Sequence, residues 1–150
     1  MRISIQRLTS EDSELLREAM NLFATAFDDR ETYNGAPPDN LYRRKLLARE
    51  SFVTLVALKD DNLVGAVTAY ILPKPEQARS EMYVYDLAVA AEHRRGGIAT
   101  RLMTSLKPIA RAEGCHVIFV QADHGDVPAI RLYESLGKLE EVLHFDVNVT

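Results

Sequence analysis

The sequence contains a single cysteine, Cys115, and it has no long apolar run. One thiol excludes an internal disulfide and a cysteine-based zinc site. The most apolar segments, Phe52–Leu58 and Leu63–Leu72, are too short to span a bilayer, and the first residues contain no apolar signal-peptide core. We therefore expect a cytoplasmic protein with no membrane partner.

The chain also lacks an excess of basic residues. Its net charge is −4 and its isoelectric point is about 5.6, which suits phosphate backbones poorly, so we expect no nucleic-acid partner. The charges are nevertheless segregated, because residues 91–113 carry a net charge of +3 and residues 121–150 a net charge of −4. This distribution predicts one region that meets an anion and another that meets a cation, or simply a solvated charged surface.

With 150 residues, 47% of them apolar, the chain fits a single domain over residues 1–150. Hydrophobic spacing predicts the order β-α-α-β-β-β-α-β-α-β. Thr9 is the expected cap of the first helix, and the polar segment Asp28–Asp39 reads as a loop. Pro73 should end the strand before it, and Val142–Val147 is the expected last strand. Because the β-α-β unit in residues 81–122 should be parallel, we predict a mixed α/β sheet with helices on both faces.

The segment Arg94-Arg95-Gly96-Gly97-Ile98-Ala99 lies between a tyrosine-rich strand and an amphipathic helix. A helix start exposes backbone N–H groups and the positive end of the helix dipole. Glycines let an anion approach these groups closely, and arginines add positive charge. The combination predicts a pyrophosphate-binding turn, although it matches neither a P-loop nor a dinucleotide fingerprint.

The pattern Arg94-x-x-Gly97-x-Ala99 resembles the acetyl-CoA signature of the GCN5-related N-acetyltransferases. The preceding Asp86-Leu87-Ala88-Val89 resembles the central strand of that family. A second family motif is similar to Asp126-x-x-Ala129-x-x-Leu132-Tyr133-x-x-Leu136-Gly137. Two positions depart from the family pattern, since Asp126 stands where asparagine is usual and Lys138 where an apolar residue is usual.

Further segments resemble the gentamicin-type aminoglycoside 3-N-acetyltransferases, namely Pro73–Gln77, Ser80–Val89, Glu92–Arg95, Gln121–Asp123 and Glu140–Asp146. The resemblance implies a mixed central sheet splayed at the acetyl-CoA site. It also implies direct transfer of acetyl from acetyl-CoA to an amine of a 2-deoxystreptamine aminoglycoside, an antibiotic-resistance activity. Strand-exchange and sheet-edge dimers recur in this superfamily, so we expect a homodimer in which Val142–Val147 could meet the partner.

The resemblance also assigns residues to acetyl-CoA. The backbone of the central strand would pair with the pantetheine arm, and the turn would surround the pyrophosphate. Tyr133 would be the general acid for the departing thiol, although a tyrosine on a helix can also simply pack in the core. The implied cofactor-binding residues are Leu87, Ala88, Val89, Arg94, Arg95, Gly96, Gly97, Ile98, Ala99, Thr100, Asp126, Ala129 and Tyr133.

The residue that receives the amine is left open by the sequence. We favour Asp123 as anchor and proton acceptor, with Glu81 and His124 as second choices. Asp86 on the central strand and Asp146 in the acidic segment complete the expected substrate-binding residues. Asp126 is equally a candidate for the cap of its helix. We expect no metal, because the four histidines lack ligand spacing, and no acyl-enzyme, because no Ser-His or Cys-His arrangement is apparent.

Two other functions remain open at this point. One keeps the chemistry and changes the acceptor to a polyamine or a peptide amine. The other is a non-catalytic module that binds acyl-CoA. The nearly complete turn and tyrosine motifs favour an enzyme over such a module.

Overall fold

The computed structural model describes residues 2–150, and their strands form one five-stranded sheet in the order β1-β2-β3-β4-β5. The strands are β1 (Ile3–Arg7), β2 (Phe52–Lys59), β3 (Asn62–Lys74), β4 (Arg79–Val89) and β5 (Cys115–Val120). The helices are α1 (Ser13–Ala26), α2 (Arg30–Asn34), α3 (Asn40–Leu47), α4 (Ile98–Ala112) and α5 (Val127–Leu136). Strands β1 to β4 pair antiparallel, whereas β4 and β5 pair parallel. The predicted mixed sheet is confirmed.

Helices cover both faces of this sheet, as predicted. On one face Val53, Leu55 and Ala57 of β2 pack in a core with α4, to which Leu102 and Leu106 contribute buried side chains. The alternate residues of β2, including Phe52 and Val56, pack on the other face against α1 and α3. Because successive side chains of a strand point to opposite faces, one continuous apolar segment serves both cores.

The turn between β2 and β3 lies at Asp60–Asp61. Both residues have positive φ angles, 51° and 68°, as a two-residue type I′ hairpin requires. Strand β3 then continues through Pro73 to Lys74, so the predicted end at that proline is wrong. Strand β2 ends its pairing with β3 at Tyr70, so Pro73 pairs with β4 alone and its missing N–H costs no hydrogen bond to β2.

Two local predictions in the first helical region are also corrected. Helix α1 begins at Ser13, because Thr9 and Asp12 form a separate turn in which the Asp12 backbone N–H donates to the Thr9 carbonyl at 2.9 Å. The Asp12 carboxylate accepts from the Thr9 backbone N–H at 2.7 Å, so these two residues interact before the helix begins. The expected loop at Asp28–Asp39 contains α2, which Asp29 caps by accepting from the Thr32 backbone N–H at 3.1 Å.

The predicted last strand, Val142–Val147, is wrong for the chain's own sheet. Residues 138–150, called the C-terminal arm below, contain no helix or strand and are exposed throughout. Within residues 2–150, β5 pairs with β4 and with no second strand. A strand pattern forms a strand only where another strand edge meets it, and the arm does not meet one within its own chain.

Candidate active site

Strands β4 and β5, at one edge of the sheet, separate partway along their length. Their parallel ladder ends at the pair Val84–Val120, so the residues 85–89 of β4 have no partner on that side. The separation begins at a β-bulge, where the pairing of β4 with β3 shifts between Val84 and Asp86 and leaves Tyr85 unpaired. This is the splay that the family resemblance implied.

The open edge of β4 presents backbone groups to the splay. The Ala90 backbone N–H donates to the Val64 carbonyl of β3 at 2.8 Å. Because neighbouring peptide groups alternate in direction along a strand, those of Leu87 and Val89 point to the other side. The Val89 carbonyl accepts from Arg94 Nε at 3.1 Å, which links the strand end to the following turn. The assignment of Leu87, Ala88 and Val89 to acetyl-CoA remains a prediction that fits this edge.

The arginine–glycine turn leads directly into α4. Arg95 and Gly97 have positive φ angles of 69° and 79°, which fold the backbone sharply before the helix. The first helical bond runs from the Arg101 backbone N–H to the Gly97 carbonyl at 3.0 Å. The preceding N–H groups of Ile98, Ala99 and Thr100 therefore have no acceptor inside the helix. A Cβ on Gly97 would meet no atom within 4 Å, so the front of the helix is open. These features suit a pyrophosphate.

Gly97→Ala is expected to weaken acetyl-CoA binding by at least about tenfold, equivalent to ~1.4 kcal/mol. The added methyl group strains a residue at φ 79° and shifts the backbone N–H groups that are predicted to face the pyrophosphate. Strain of about 1–2 kcal/mol should also lower the melting temperature by a few degrees. Calorimetric titration with acetyl-CoA and thermal melting measure the two effects.

Gly114→Ala is the matched control for this substitution. Gly114 has φ 72°, its Cβ would also meet nothing within 4 Å, and it lies after the opposite end of α4. It should therefore cause a similar loss of stability without loss of affinity. Equal acetyl-CoA affinities for the two variants would show that the turn does not bind the co-substrate.

Tyr133 lies on α5 and is half-buried against the core that includes α4. Burial raises the pKa of its hydroxyl to about 12, with smaller contributions from the charges of Asp126 and Asp86. The hydroxyl is therefore protonated at physiological pH. Asp126 caps α5 by accepting from the Ala129 backbone N–H at 3.3 Å, so one of its two anticipated roles is observed. Contacts of Asp126 and Ala129 with the co-substrate stay predictions.

Asp86 is the carboxylate at the start of the splay. Its own backbone N–H donates to Thr68 Oγ1 of β3 at 3.3 Å, which holds the residue after the bulge. Burial raises the pKa of the carboxyl group, and an interaction with the Tyr33 hydroxyl partly offsets this effect. The same carboxylate contributes to raising the pKa of Tyr133, so the two groups lie within electrostatic range.

The structure separates the other predicted substrate residues. The Glu81 carboxylate lies 3.1 Å from His116 Nε2 and 3.7 Å from Lys74 Nζ, five residues before Asp86 and thus roughly 16 Å away along the strand. Asp123 and His124 are exposed on the loop that follows β5. Asp146 lies on the C-terminal arm, where its carboxylate is 2.8 Å from His144 Nε2.

An aromatic strip beside Asp86 was missed by the sequence analysis. Ring centroids are 5.3 Å apart for Phe52 and Tyr70, 6.1 Å for Tyr70 and Tyr85, and 5.7 Å for Tyr85 and Tyr83. Tyr85 is 62% exposed at the bulge. The tyrosine-rich sequence of β4 was the signal from which this strip could have been predicted. Tyr33, which interacts with Asp86, comes from α2, where no periodic pattern marked it.

Among residues 2–150, no three His, Cys, Asp or Glu side chains are placed to share a metal ion. In the same part of the chain, no helix has the length and apolar character needed to cross a membrane.

An open sheet whose parallel strands separate beside a helix start with free backbone N–H groups is the N-acetyltransferase arrangement that the motifs implied. A profile of the acetyltransferase (GNAT) family matches residues 16–138. The chain belongs to this family, whose enzymes use acetyl-CoA.

Two solved structures of aminoglycoside acetyltransferases are similar to this chain over nearly its whole length. An aminoglycoside acetyltransferase from an uncultured soil metagenomic sample is 47% identical, with a TM-score of 0.97 and full coverage of both chains. A second such enzyme from a soil sample, crystallised in complex with sisomicin, is 31% identical, with a TM-score of 0.91 over 99% of this chain and 97% of that one.

The curated relatives are more distant. An N-alpha-acetyltransferase from Saccharolobus solfataricus is 34% identical over 55% of this chain and 53% of its own length. N-acetyltransferase 8B from Rattus norvegicus is 29% identical over 55% of this chain and 37% of its own length. The chain thus spans roughly a third to a half of the curated relatives that it matches.

Proposed function

We propose that this protein transfers an acetyl group from acetyl-CoA directly to an amine of a 2-deoxystreptamine aminoglycoside. The observation that carries this proposal is Asp86, a half-buried carboxylate beside an exposed aromatic strip at the splay. Aminoglycosides bear several ammonium groups, and a carboxylate with aromatic faces attracts such cations. The likeness to two aminoglycoside acetyltransferases supports the same substrate class. The 3-amine as acceptor rests on the sequence resemblance alone.

Different parts of the chain would bind acetyl-CoA, deprotonate the amine and protonate the departing thiol. The arginine–glycine turn binds the pyrophosphate, and the free edge of β4 orients the pantetheine arm. Asp86 attracts the substrate ammonium group and accepts a proton from it, so that the neutral amine can attack the thioester. Tyr133 holds a proton at its Oη and donates it to the departing sulfur. Because the edge of β4 would hold the amine and the thioester close together, their proximity would account for much of the rate enhancement.

Asp86 takes the role for which the sequence favoured Asp123. Asp86 is half-buried whereas Asp123 is exposed, and a carboxylate removed from water interacts more strongly with a cation than an exposed carboxylate does. Asp123 remains a second candidate, since its loop begins where β5 leaves β4. The two carboxylates are compared by mutation below.

A thiol-release assay tests the substrate class. Purified protein with acetyl-CoA should release free CoA with gentamicin, sisomicin or kanamycin well above the rate without enzyme. NMR of the acetylated product then identifies the modified amine. Release at the background rate with all three antibiotics would refute the proposal.

Two further acceptors belong in the same assay. The likeness to an archaeal N-alpha-acetyltransferase makes a peptide amine the specific alternative, and spermidine represents the polyamines. Turnover of either one without turnover of any antibiotic would change the substrate assignment and leave the chemistry intact. Tight acetyl-CoA binding without turnover on any amine would instead indicate a non-catalytic acyl-CoA-binding module.

A further inference from the structure

The point at which β4 and β5 separate depends on a short ladder. Among residues 2–150, β5 pairs with β4 alone, and after a register shift between Ser80 and Met82 it pairs at three consecutive positions that end at Val84–Val120. The splay begins directly beyond this last pair. If the last pair opened, the start of the splay would move by the length of one residue, about 3.3 Å. A misplacement of ~1 Å is already enough to slow a reaction that depends on the alignment of two groups.

Two side-chain contacts join the strands at this end of the ladder. The ring of Tyr83 on β4 stacks on Phe119 of β5, with centroids 4.7 Å apart and planes 6° from parallel. The Tyr83 hydroxyl donates a hydrogen bond to Gln121 Oε1 at 2.8 Å. Gln121 is the first residue after β5, one position beyond the last ladder pair. The hydrogen bond therefore joins the two strands where their backbone pairing has already ended.

Gln121 also begins the segment that leads to the proposed general acid. Residues 121–126 connect β5 to α5, which carries Tyr133. Helix α5 contains no fully buried residue, and its side chains Tyr133 and Leu136 pack against the core while only partly buried. With so little burial of its own, α5 depends for its position on where β5 leaves β4.

We propose that Tyr83 is a positioning residue, whose hydroxyl holds Gln121 and thereby fixes the point at which β4 and β5 separate. The bond keeps β5, the loop after it and α5 at one distance from the free edge of β4. Tyr133 on the β5 side is thus aligned with the thioester on the β4 side. This alignment rests on the proposed function in the role given to Tyr133, and on no particular acceptor amine.

Hydrogen exchange of the free protein tests the bond without any ligand. Tyr83→Phe keeps the ring on Phe119 and removes the donor, whereas Gln121→Met removes the acceptor and keeps a similar side-chain length. Each substitution should speed exchange of the protected backbone amides in residues 118–120 by about three- to tenfold, the scale of one exposed hydrogen bond. The double variant should exchange no faster than either single variant, because both remove the same bond. Unchanged exchange in both single variants, or additive effects, would overturn the proposal.

Two further variants are matched controls for this measurement. Gln121→Glu keeps an acceptor oxygen for the Tyr83 hydroxyl, so exchange should stay at the native rate. Tyr70→Phe removes a hydroxyl from the residue that pairs with Tyr83 on β3, a strand that does not pair with β5, and should also leave exchange unchanged. Faster exchange in Tyr70→Phe would show that any lost hydroxyl on this face loosens β5 and would contradict a specific role of the bond.

Steady-state kinetics distinguish a positioning role from a merely structural one. With acetyl-CoA and kanamycin, or with spermidine or a peptide amine if only these are turned over, Tyr83→Phe and Gln121→Met should lower kcat by about tenfold or more. KM for acetyl-CoA should change little, and Gln121→Glu should keep the native kcat. Faster exchange with a native kcat in both variants would overturn the positioning role. Absence of turnover by the unmodified protein on every amine would instead refute the proposed function, and the exchange measurement would then decide this inference alone.

Discussion

Tyr133→Phe is expected to lower kcat by about 10²–10⁴-fold, the usual contribution of a general acid. The substitution removes only the hydroxyl and keeps the ring that packs against the core containing α4. If Tyr133 is the proton donor, the departing thiolate then lacks it, whereas the arginine–glycine turn proposed for the pyrophosphate is untouched. The KM values for acetyl-CoA and for the antibiotic should therefore change little, which is the mark of an interaction made only in the transition state.

The pKa of Tyr133 strengthens this prediction. Since burial raises it to about 12, the hydroxyl should stay protonated through the whole range in which activity is measured. No fall in kcat with an apparent pKa below 10 should be traceable to this tyrosine. Steady-state kinetics under conditions where chemistry limits the rate, checked by single-turnover experiments, give the comparison.

Tyr42→Phe is the control for the loss of a tyrosine hydroxyl. Tyr42 is 60% exposed on α3, which packs in the other core from the one that holds Tyr133, and the loss of its hydroxyl should leave kcat and the melting temperature unchanged. If Tyr133→Phe behaves like Tyr42→Phe, the tyrosine is a packing residue and water or another group protonates the sulfur.

The sheet and the arginine–glycine turn that precedes α4 were predictable because their signals are local. Alternating and continuous apolar segments defined the strands, and the two-residue turn at Asp60–Asp61 needs only residues that tolerate positive φ. The turn at Arg94–Gly97 is likewise encoded by consecutive residues. The resemblance to a family then added the splay, which no periodicity could have indicated.

The residues proposed to bind the acceptor substrate were less predictable, because they come together only in the folded chain. Tyr33 reaches Asp86 from α2, a short helix within a segment that looked like a loop. Asp123 and Asp86 are both aspartates in the sequence, and only their different solvent exposure in the folded chain distinguishes them as candidates for the proton acceptor. The prediction for Val142–Val147 was wrong for a related reason, since an alternating pattern forms a strand only where another strand edge meets it, and the sequence does not show whether one does.

Asp86→Asn is expected to make the protein more stable and nearly inactive. Asparagine has almost the same shape and can still accept from Tyr33, so the bulge should persist. Without the negative charge the ammonium group of the substrate is attracted less and its proton has no acceptor, so kcat/KM should fall by about 10²–10⁴-fold. KM for acetyl-CoA should be nearly constant. The measurement is a kinetic comparison with the native enzyme over a range of pH.

Stability should change in the opposite direction, and its pH dependence identifies the cause. Burial raises the pKa of Asp86 in the folded chain, so the ionised carboxylate costs folding free energy that the unfolded chain does not incur. This cost is present at neutral pH and disappears as the pH falls through the raised folded pKa towards the ordinary value near ~4. The melting temperature of Asp86→Asn should thus exceed that of the native protein at pH 7, and the difference should vanish on acidification.

Asp123→Asn completes the comparison, because Asp123 is exposed and its neutralisation should leave the melting temperature nearly unchanged. If Asp86 receives the amine, Asp123→Asn should raise KM for the antibiotic slightly at most, through the loss of one more negative charge near a polycation. A large loss of activity in Asp123→Asn together with normal activity in Asp86→Asn would return the role of proton acceptor to Asp123. In that case the higher melting temperature of Asp86→Asn would still be expected, since burial of a charge is costly whether or not the charge serves catalysis.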